Sequence, residues 1–386
     1  MAAGRRRWLR VVVSALVVVT VALVAVGWYV SGEIIAGMSA VPPEPVFDVE
    51  VSAIEDQEIE LLVEDEVVAV RDADSTLGLR WDGGWGIVGS ATAVDGDAQT
   101  RPFGIIAGGA PSVGDLVSFD GVVYPDLSAL DFPLDEVFID APIGSLPAWY
   151  VEGSSDTWVI GVHGLGAGRR DMLRMVQALG PPSDYHLLIP SYRNDIGTPT
   201  TDDQLALFGQ TEWEDLTAAV DFARAQGAEH IVLHGQSMGG AIVLSYLLEA
   251  GDAAGIIGVV LDAPAADFAR IIDLRSGEAL PVGGAAGDAI LSFGRYVTTL
   301  RTGLDFAAVD YVERADGLDV PILLLHGTED TIVPFEVGEA LAEARPDLVE
   351  LVPIEDAGHV RAWNEDATAY TVIVTEFIRD RVGASN

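Results

Sequence analysis

The chain of 386 residues carries 60 acidic against 21 basic side chains, a net charge of −39, and every basic residue is arginine. That balance argues against nucleic acid as a partner, because phosphate binding needs a basic face. With no cysteine present, disulfides, thiolate metal sites and a cysteine nucleophile are excluded, while a hydrophobic fraction of 49% is enough for a sizeable core.

Residues 1–10 read as a basic tail carrying Arg5, Arg6, Arg7 and Arg10. Residues 11–30 are then almost wholly apolar, diluted only by Ser14, Thr20 and Gly27. Twenty residues at a helical rise of 1.5 Å span about 30 Å, the thickness of a bilayer core. Trp8 marks one end and Trp28 with Tyr29 the other, as interfacial aromatics do. Arginines precede the run and Glu33, Glu44, Asp48 and Glu50 follow it. This bias predicts a single-pass transmembrane helix with a cytoplasmic N-terminus and an extracytoplasmic remainder. A cleaved signal peptide is the competing reading, although its apolar region usually runs only about 7–15 residues. Residues 31–45 are expected to form a linker, stiffened by Val41-Pro42-Pro43-Glu44-Pro45.

From 46 to 130 the chain is rich in β-type residues and turn signals. Trp81-Asp82-Gly83-Gly84-Trp85-Gly86 and Gly108-Gly109-Ala110-Pro111 look like turns. A small β-rich module is expected, with no chemical constellation of its own and the role of a spacer or platform. From 131 to 386 strands alternate with helices. Segments 137–141 and 146–152 form an initial strand pair. Strands follow at 157–162, 185–190, 230–234, 256–261, 321–326 and 349–353, with helices at 169–179, 211–226 and 367–381. Such alternation predicts an α/β fold with a mostly parallel sheet covered on both faces. An insertion at about 263–318 is expected to fold as short helices over 268–274, 289–300 and 304–312.

The stretch that carries chemistry is Ile231-Val232-Leu233-His234-Gly235-Gln236-Ser237-Met238-Gly239-Gly240. A short apolar run stops at glycines, and a helical pattern starts at once, which reads as strand, sharp turn and helix with Ser237 at the tip. A Cβ at Gly235 or Gly239 would collide with neighbouring backbone in so tight a turn. The helix behind Ser237 aims its free N–H groups at any negative charge forming beside the serine.

Two further motifs follow in order. His326-Gly327-Thr328-Glu329-Asp330 continues into Thr331-Ile332-Val333-Pro334, and Ala357-Gly358-His359 comes after the last strand. With Gly235-Gln236-Ser237-Met238-Gly239 they resemble the nucleophile elbow, acid loop and histidine loop of the α/β-hydrolase family. The resemblance covers about two thirds of the chain and excludes the apolar span and the β-rich module. It implies Ser237 as nucleophile, His359 as general base and Asp330 as the acid that orients the imidazole. It also implies an oxyanion hole made by the backbone N–H groups of Met238 and Leu165, the latter in His163-Gly164-Leu165.

Asp262, at the end of the strand after the elbow helix, is the alternative acid. His163, His186, His230, His234 and His326 are expected to satisfy local structure. No histidine–carboxylate cluster has metal-ligand spacing, so neither metal nor cofactor is expected. Under this reading the insertion is a cap. Its residues Ile271, Ile272, Leu291, Phe293, Tyr296 and Phe306 either line an acyl pocket or form the cap's own core. Arg193 either orients a substrate anion or pairs with Asp195 or another acid. The expected function is a membrane-anchored serine hydrolase cleaving small-molecule or lipid-like carboxylic esters through an acyl-enzyme. A serine peptidase of the same fold and an inactive scaffold are the alternatives.

Overall fold

A computed structural model describes residues 2–39, 45–63, 73–130, 132–181, 183–279 and 284–385, with some side chains of the N-terminal helix left out. Residues 41–44 of the expected linker, and 64–70 in the β-rich stretch, lie outside the described residues.

The chain opens with a helix over Ala2–Ala36, so residues 31–36 continue a helix where the sequence suggests a linker. Val30, Ser31, Ile34 and Met38 at its C-terminal end are buried, whereas Val13, Val17, Val21, Leu23, Val24 and Val26 are exposed. Of the apolar span, the side chains at 11, 15, 16, 18, 19 and 22 lie outside the described set. Among the described residues no helix is long and apolar enough to cross a membrane.

Among the described residues seven strands follow: β1 (Val49–Glu55), β2 (Glu58–Leu62), β3 (Leu77–Trp81), β4 (Gly84–Val88), β5 (Ala93–Asp95), β6 (Ala98–Gly108) and β7 (Leu116–Asp120). Their order is β2-β1-β7-β3-β4-β6-β5, and a further β2–β6 pairing closes the sheet into a small antiparallel barrel. Closure removes the free edges of β2 and β6, leaving the short, exposed β5 outside the ring and paired to β6. Alternate residues such as Val51, Ile59, Leu61, Leu77, Leu79 and Val117 fill its interior. The glycine- and tryptophan-rich segment 81–86 is not wholly a turn: Trp81 ends β3 and Gly84 opens β4, leaving Asp82 and Gly83 to make the reversal. Gly83 takes a positive φ of 83° there, which is why a residue without Cβ stands at that point.

The larger sheet contains β8 (Asp135–Ala141), β9 (Gly144–Val151), β10 (Thr157–Val162), β11 (His186–Pro190), β12 (His230–Gln236), β13 (Ile256–Asp262), β14 (Ile322–Gly327) and β15 (Val349–Ile354). Their order is β15-β14-β13-β12-β10-β11-β9-β8. The six strands β10 to β15 run parallel, and β8 with β9 forms an antiparallel hairpin at one edge. Consecutive residues of one strand serve opposite faces. Val159 and Val232 pack in the core that holds Tyr370, Val374 and Ile378 of the closing helix. Ile160 and Leu233 pack in the core that holds Leu216 and Val220 of helix Trp213–Ala225. Burial on both faces is the reason these strands read as continuous apolar runs.

Strand order reverses about β10, whose neighbours are β11 and β12. In an open parallel sheet the crevice beyond the strand C-termini at such a point is where ligands bind. The loops 163–165 after β10 and 237–238 after β12 both lie there.

The described residues of the insertion form two helices, Phe268–Ala279 and Gly284–Thr302. Segment 304–312, expected to be a third, is a series of turns. Gly303 reverses the chain with a φ of 76°. The carboxylates of Asp305 and Asp310 then accept the N–H groups of Ala307 and Glu313. Local Asp-to-backbone bonds of this kind compete with helix propagation.

Candidate active site

Ser237 stands between β12 and the elbow helix Met238–Glu249, with φ 52° and ψ −119°. A non-glycine residue held there is strained, and the surroundings show what enforces it. A Cβ built on Gly239 would lie 2.1 Å from the Val162 carbonyl oxygen, and one built on Gly235 would lie 2.7 Å from Gly239 O and Gly240 Cα. The two glycines thus let the turn close against β10.

Three side chains distant in sequence meet above the sheet. The Ser237 Oγ lies 2.9 Å from His359 Nε2, and His359 Nδ1 lies 2.7 Å from Asp330 Oδ2. An ionised Asp330 can only accept, so Nδ1 carries the proton and Nε2 is left to accept from the serine hydroxyl. The other oxygen of Asp330 accepts the N–H groups of Ile332 and Val333 at 2.8 and 2.9 Å. Burial alone would raise the Asp330 carboxyl; the imidazoles of His359 and His326 outweigh it and hold the group well below the usual carboxylate range. Glu329 is exposed beside it. Met238 N–H, first in the elbow helix, has no intrahelical acceptor. Gly164 brings the other loop close, since a Cβ there would stand 3.1 Å from Ser237 Cβ. Leu165 lines the space around Ser237.

The family model described as "Alpha/beta hydrolase family" matches residues 159–372, more than half of the chain. This protein belongs to the alpha/beta hydrolase family. Among curated relatives it is similar to an uncharacterized protein, YfhR, of Escherichia coli strain K12, at 24% identity over 251 residues, covering 62% of this chain and 78% of that one. It is similar to YfhR of Salmonella typhi at 25% identity over 238 residues, covering 58% and 72%. Among solved structures it shares its fold with the Pyrococcus furiosus esterase Pf2001, at 22% identity and a TM-score of 0.51, over 65% of this chain and 92% of that one.

Two cavities of this alpha/beta hydrolase family member meet at Ser237. The larger, about 790 Å³, is mostly apolar and is lined by Ile271, Ile272 and Leu291 of the insertion. Other residues considered for it go elsewhere. Phe293 packs at Gly27, Tyr296 is exposed, and Phe306 stacks on Phe268. The smaller, about 250 Å³, is lined by Asp120, Gly121 and Val122 from the barrel side together with His359 and Arg361. The barrel reaches this position by docking on the turn after His359. Thr76 N–H donates to Asn364 O at 2.8 Å, and Asn364 Nδ2 donates to Thr76 O and Gly121 O. Neither the barrel's place at the site nor the lining of the larger cavity by Tyr29, Val30, Glu33, Ile34 and Gly37 follows from any motif. For the helix a signal exists, since Gly27 and Ser31 are small residues four apart, the spacing that lets two helices approach closely.

The remaining candidates are structural. His163 lies 3.1 Å from Asp195 and stacks on Tyr192; His186 stacks on Trp158. His234 meets the Tyr370 hydroxyl at 2.7 Å, and His326 donates to Val333 O at 2.9 Å. Arg193 pairs with Asp215 and Glu214 of the following helix, not with Asp195. Among the described residues no group of three or more metal-type side chains converges. Asp262 is buried, and its Oδ1 has no hydrogen-bond partner among the described residues. Burial pushes its carboxyl up to about 7.

That carboxyl yields a pH prediction. Between about pH 4 and pH 7 the folded chain keeps a proton on Asp262 that the unfolded chain has already released. The group therefore favours folding at the acid end, and its contribution is lost as pH rises toward 7. Asp262→Asn should flatten the decline of stability across this window by one proton's worth, as read by urea unfolding at pH 5 and pH 8. An unchanged slope would place the charge elsewhere.

Proposed function

We propose that this protein is a serine hydrolase of carboxylic esters, with Ser237 as nucleophile, His359 as base and Asp330 as orienting acid. The observation that carries the reading is the unbroken relay from the serine hydroxyl through the imidazole to the carboxylate. Ser237 Oγ attacks the ester carbonyl carbon and passes its proton to His359 Nε2. The carbonyl oxygen becomes an oxyanion facing the N–H groups of Met238 and Leu165. Collapse breaks the bond to the alcohol oxygen, which takes the proton from His359 and leaves. Water then attacks the acyl-enzyme, giving its proton to His359; the acid departs and the proton returns to Ser237. The esterase among the fold neighbours agrees with this substrate class.

The same reading anchors the chain through residues 11–30, with the catalytic domain outside the cytoplasmic membrane. The arginine bias ahead of the run and the exposed valines at 13, 17, 21 and 24 support it. One experiment addresses both parts. A membrane-impermeant fluorophosphonate is expected to label intact cells expressing the wild type and not Ser237→Ala. Labelling only after lysis would overturn the location alone. No labelling of folded protein, or equal labelling of both forms, would overturn the hydrolase and leave the scaffold.

A further inference from the structure

The N-terminal helix does not end at the surface of the catalytic domain; it enters it. Its last turns lie along the second cap helix, Gly284–Thr302, whose buried residues Gly287, Leu291, Gly294 and Thr298 form one stripe at spacings of four, three and four. The contact is close because each helix offers a glycine to the other. A Cβ on Gly27 would lie 2.4 Å from the Phe293 ring, and one on Gly294 would lie 2.3 Å from Val30 Cγ1. Thr298 Oγ1 donates to Ser31 Oγ at 3.1 Å, and Arg301 Nη1 donates to the same oxygen at 3.0 Å while its guanidinium sits 4.2 Å from the Trp28 ring centroid. Met38 is fully buried, and its carbonyl accepts Ala206 N–H at 2.9 Å.

Beside this seam the same helix borders the larger cavity. Val30, Ile34 and Gly37 line it from one side, Ile271 and Leu291 from another, with Ser237 at its edge. A volume of about 790 Å³ falls in the range that takes a drug-sized ligand. We infer that the C-terminal turns of the N-terminal helix are a wall of the acyl pocket, and that the substrates are esters of medium- or long-chain acids whose hydrocarbon lies against Val30, Ile34 and Gly37. This rests on the serine-esterase reading above. The segment that reads as an anchor then also selects the acyl chain.

The test uses the full chain and 4-nitrophenyl esters. Each methylene taken into an apolar pocket is worth about 4-fold in kcat/KM, so octanoate should exceed acetate by at least about 100-fold. Gly37 is exposed and a Cβ there meets only its own helix backbone, so Gly37→Phe adds bulk toward the cavity without removing a core contact. It should lower the octanoate-to-acetate ratio at least about 10-fold. Ile34→Ala should move the optimum to longer chains instead.

Octanoate offered in solution and palmitate offered in phosphatidylcholine vesicles separate a soluble from a bilayer source. Activity on either supports the pocket, and activity on neither, with acetate still cleaved, overturns it. Chain-length ratios within about 2-fold of wild type in both variants, in protein that still cleaves acetate and labels at Ser237, would also overturn it. Loss of acetate cleavage and labelling in the wild type would instead bring down the esterase reading.

Discussion

Asp330→Asn is expected to lower kcat about 10⁴-fold with little change in KM, whereas Asp262→Asn should retain most activity. In the variant the amide oxygen can keep the two backbone donors from Ile332 and Val333, because Oδ1 already accepts both. That leaves the amide nitrogen facing His359 Nδ1. The ring must then accept at Nδ1 and carry its proton on Nε2, where it can no longer take one from Ser237. The imidazolium also loses its counter-charge. Asp262 is the other carboxylate considered for this role, but its raised pKa keeps it largely protonated below about 7 and it makes no hydrogen bond to His359. Steady-state kinetics of the two variants on one ester decide the matter. A large loss in Asp262→Asn with a small one in Asp330→Asn would reverse the assignment.

Much of this site is legible in the sequence because its parts sit at strand ends. Ser237 and Asp330 follow the buried strands β12 and β14, His359 follows the half-buried edge strand β15, and a parallel sheet delivers all such ends to one edge. The glycines of the elbow carry the same kind of information, since a Cβ at 239 would strike the carbonyl of 162. What stayed hidden depends on packing between separate segments. Nothing in β1 to β7 signals that Thr76 and Gly121 will bind Asn364 and bring the barrel to the rim of the site. The N-terminal run misleads for a related reason. Val30 and Ile34 look like the end of an apolar span and the start of a linker, yet one continuous helix carries both into the core. Segment 304–312 has helical spacing but also Asp305 and Asp310, whose side-chain bonds to nearby N–H groups are local and win.

Arg193 shows how a charged residue near the candidate site can belong to the framework. Its Nε and its own N–H each donate to Asp215 Oδ2 at 2.8 Å, and Nη2 donates to Asp215 Oδ1 at 2.8 Å and to Glu214 Oε2 at 2.9 Å. Asp215 has no exposed side-chain surface and Arg193 has 8%. Removing the arginine would leave a buried carboxylate with a single backbone donor. Arg193→Met should therefore cost about 3–5 kcal/mol of stability in urea unfolding, and Arg193→Met combined with Asp215→Leu should recover most of that loss. Once corrected for the folded fraction, turnover of the single variant should match wild type, because the guanidinium is spent on the first turn of helix Trp213–Ala225. A substrate-binding arginine would behave in the opposite way: the variant would melt normally and show a raised KM for anionic esters alone.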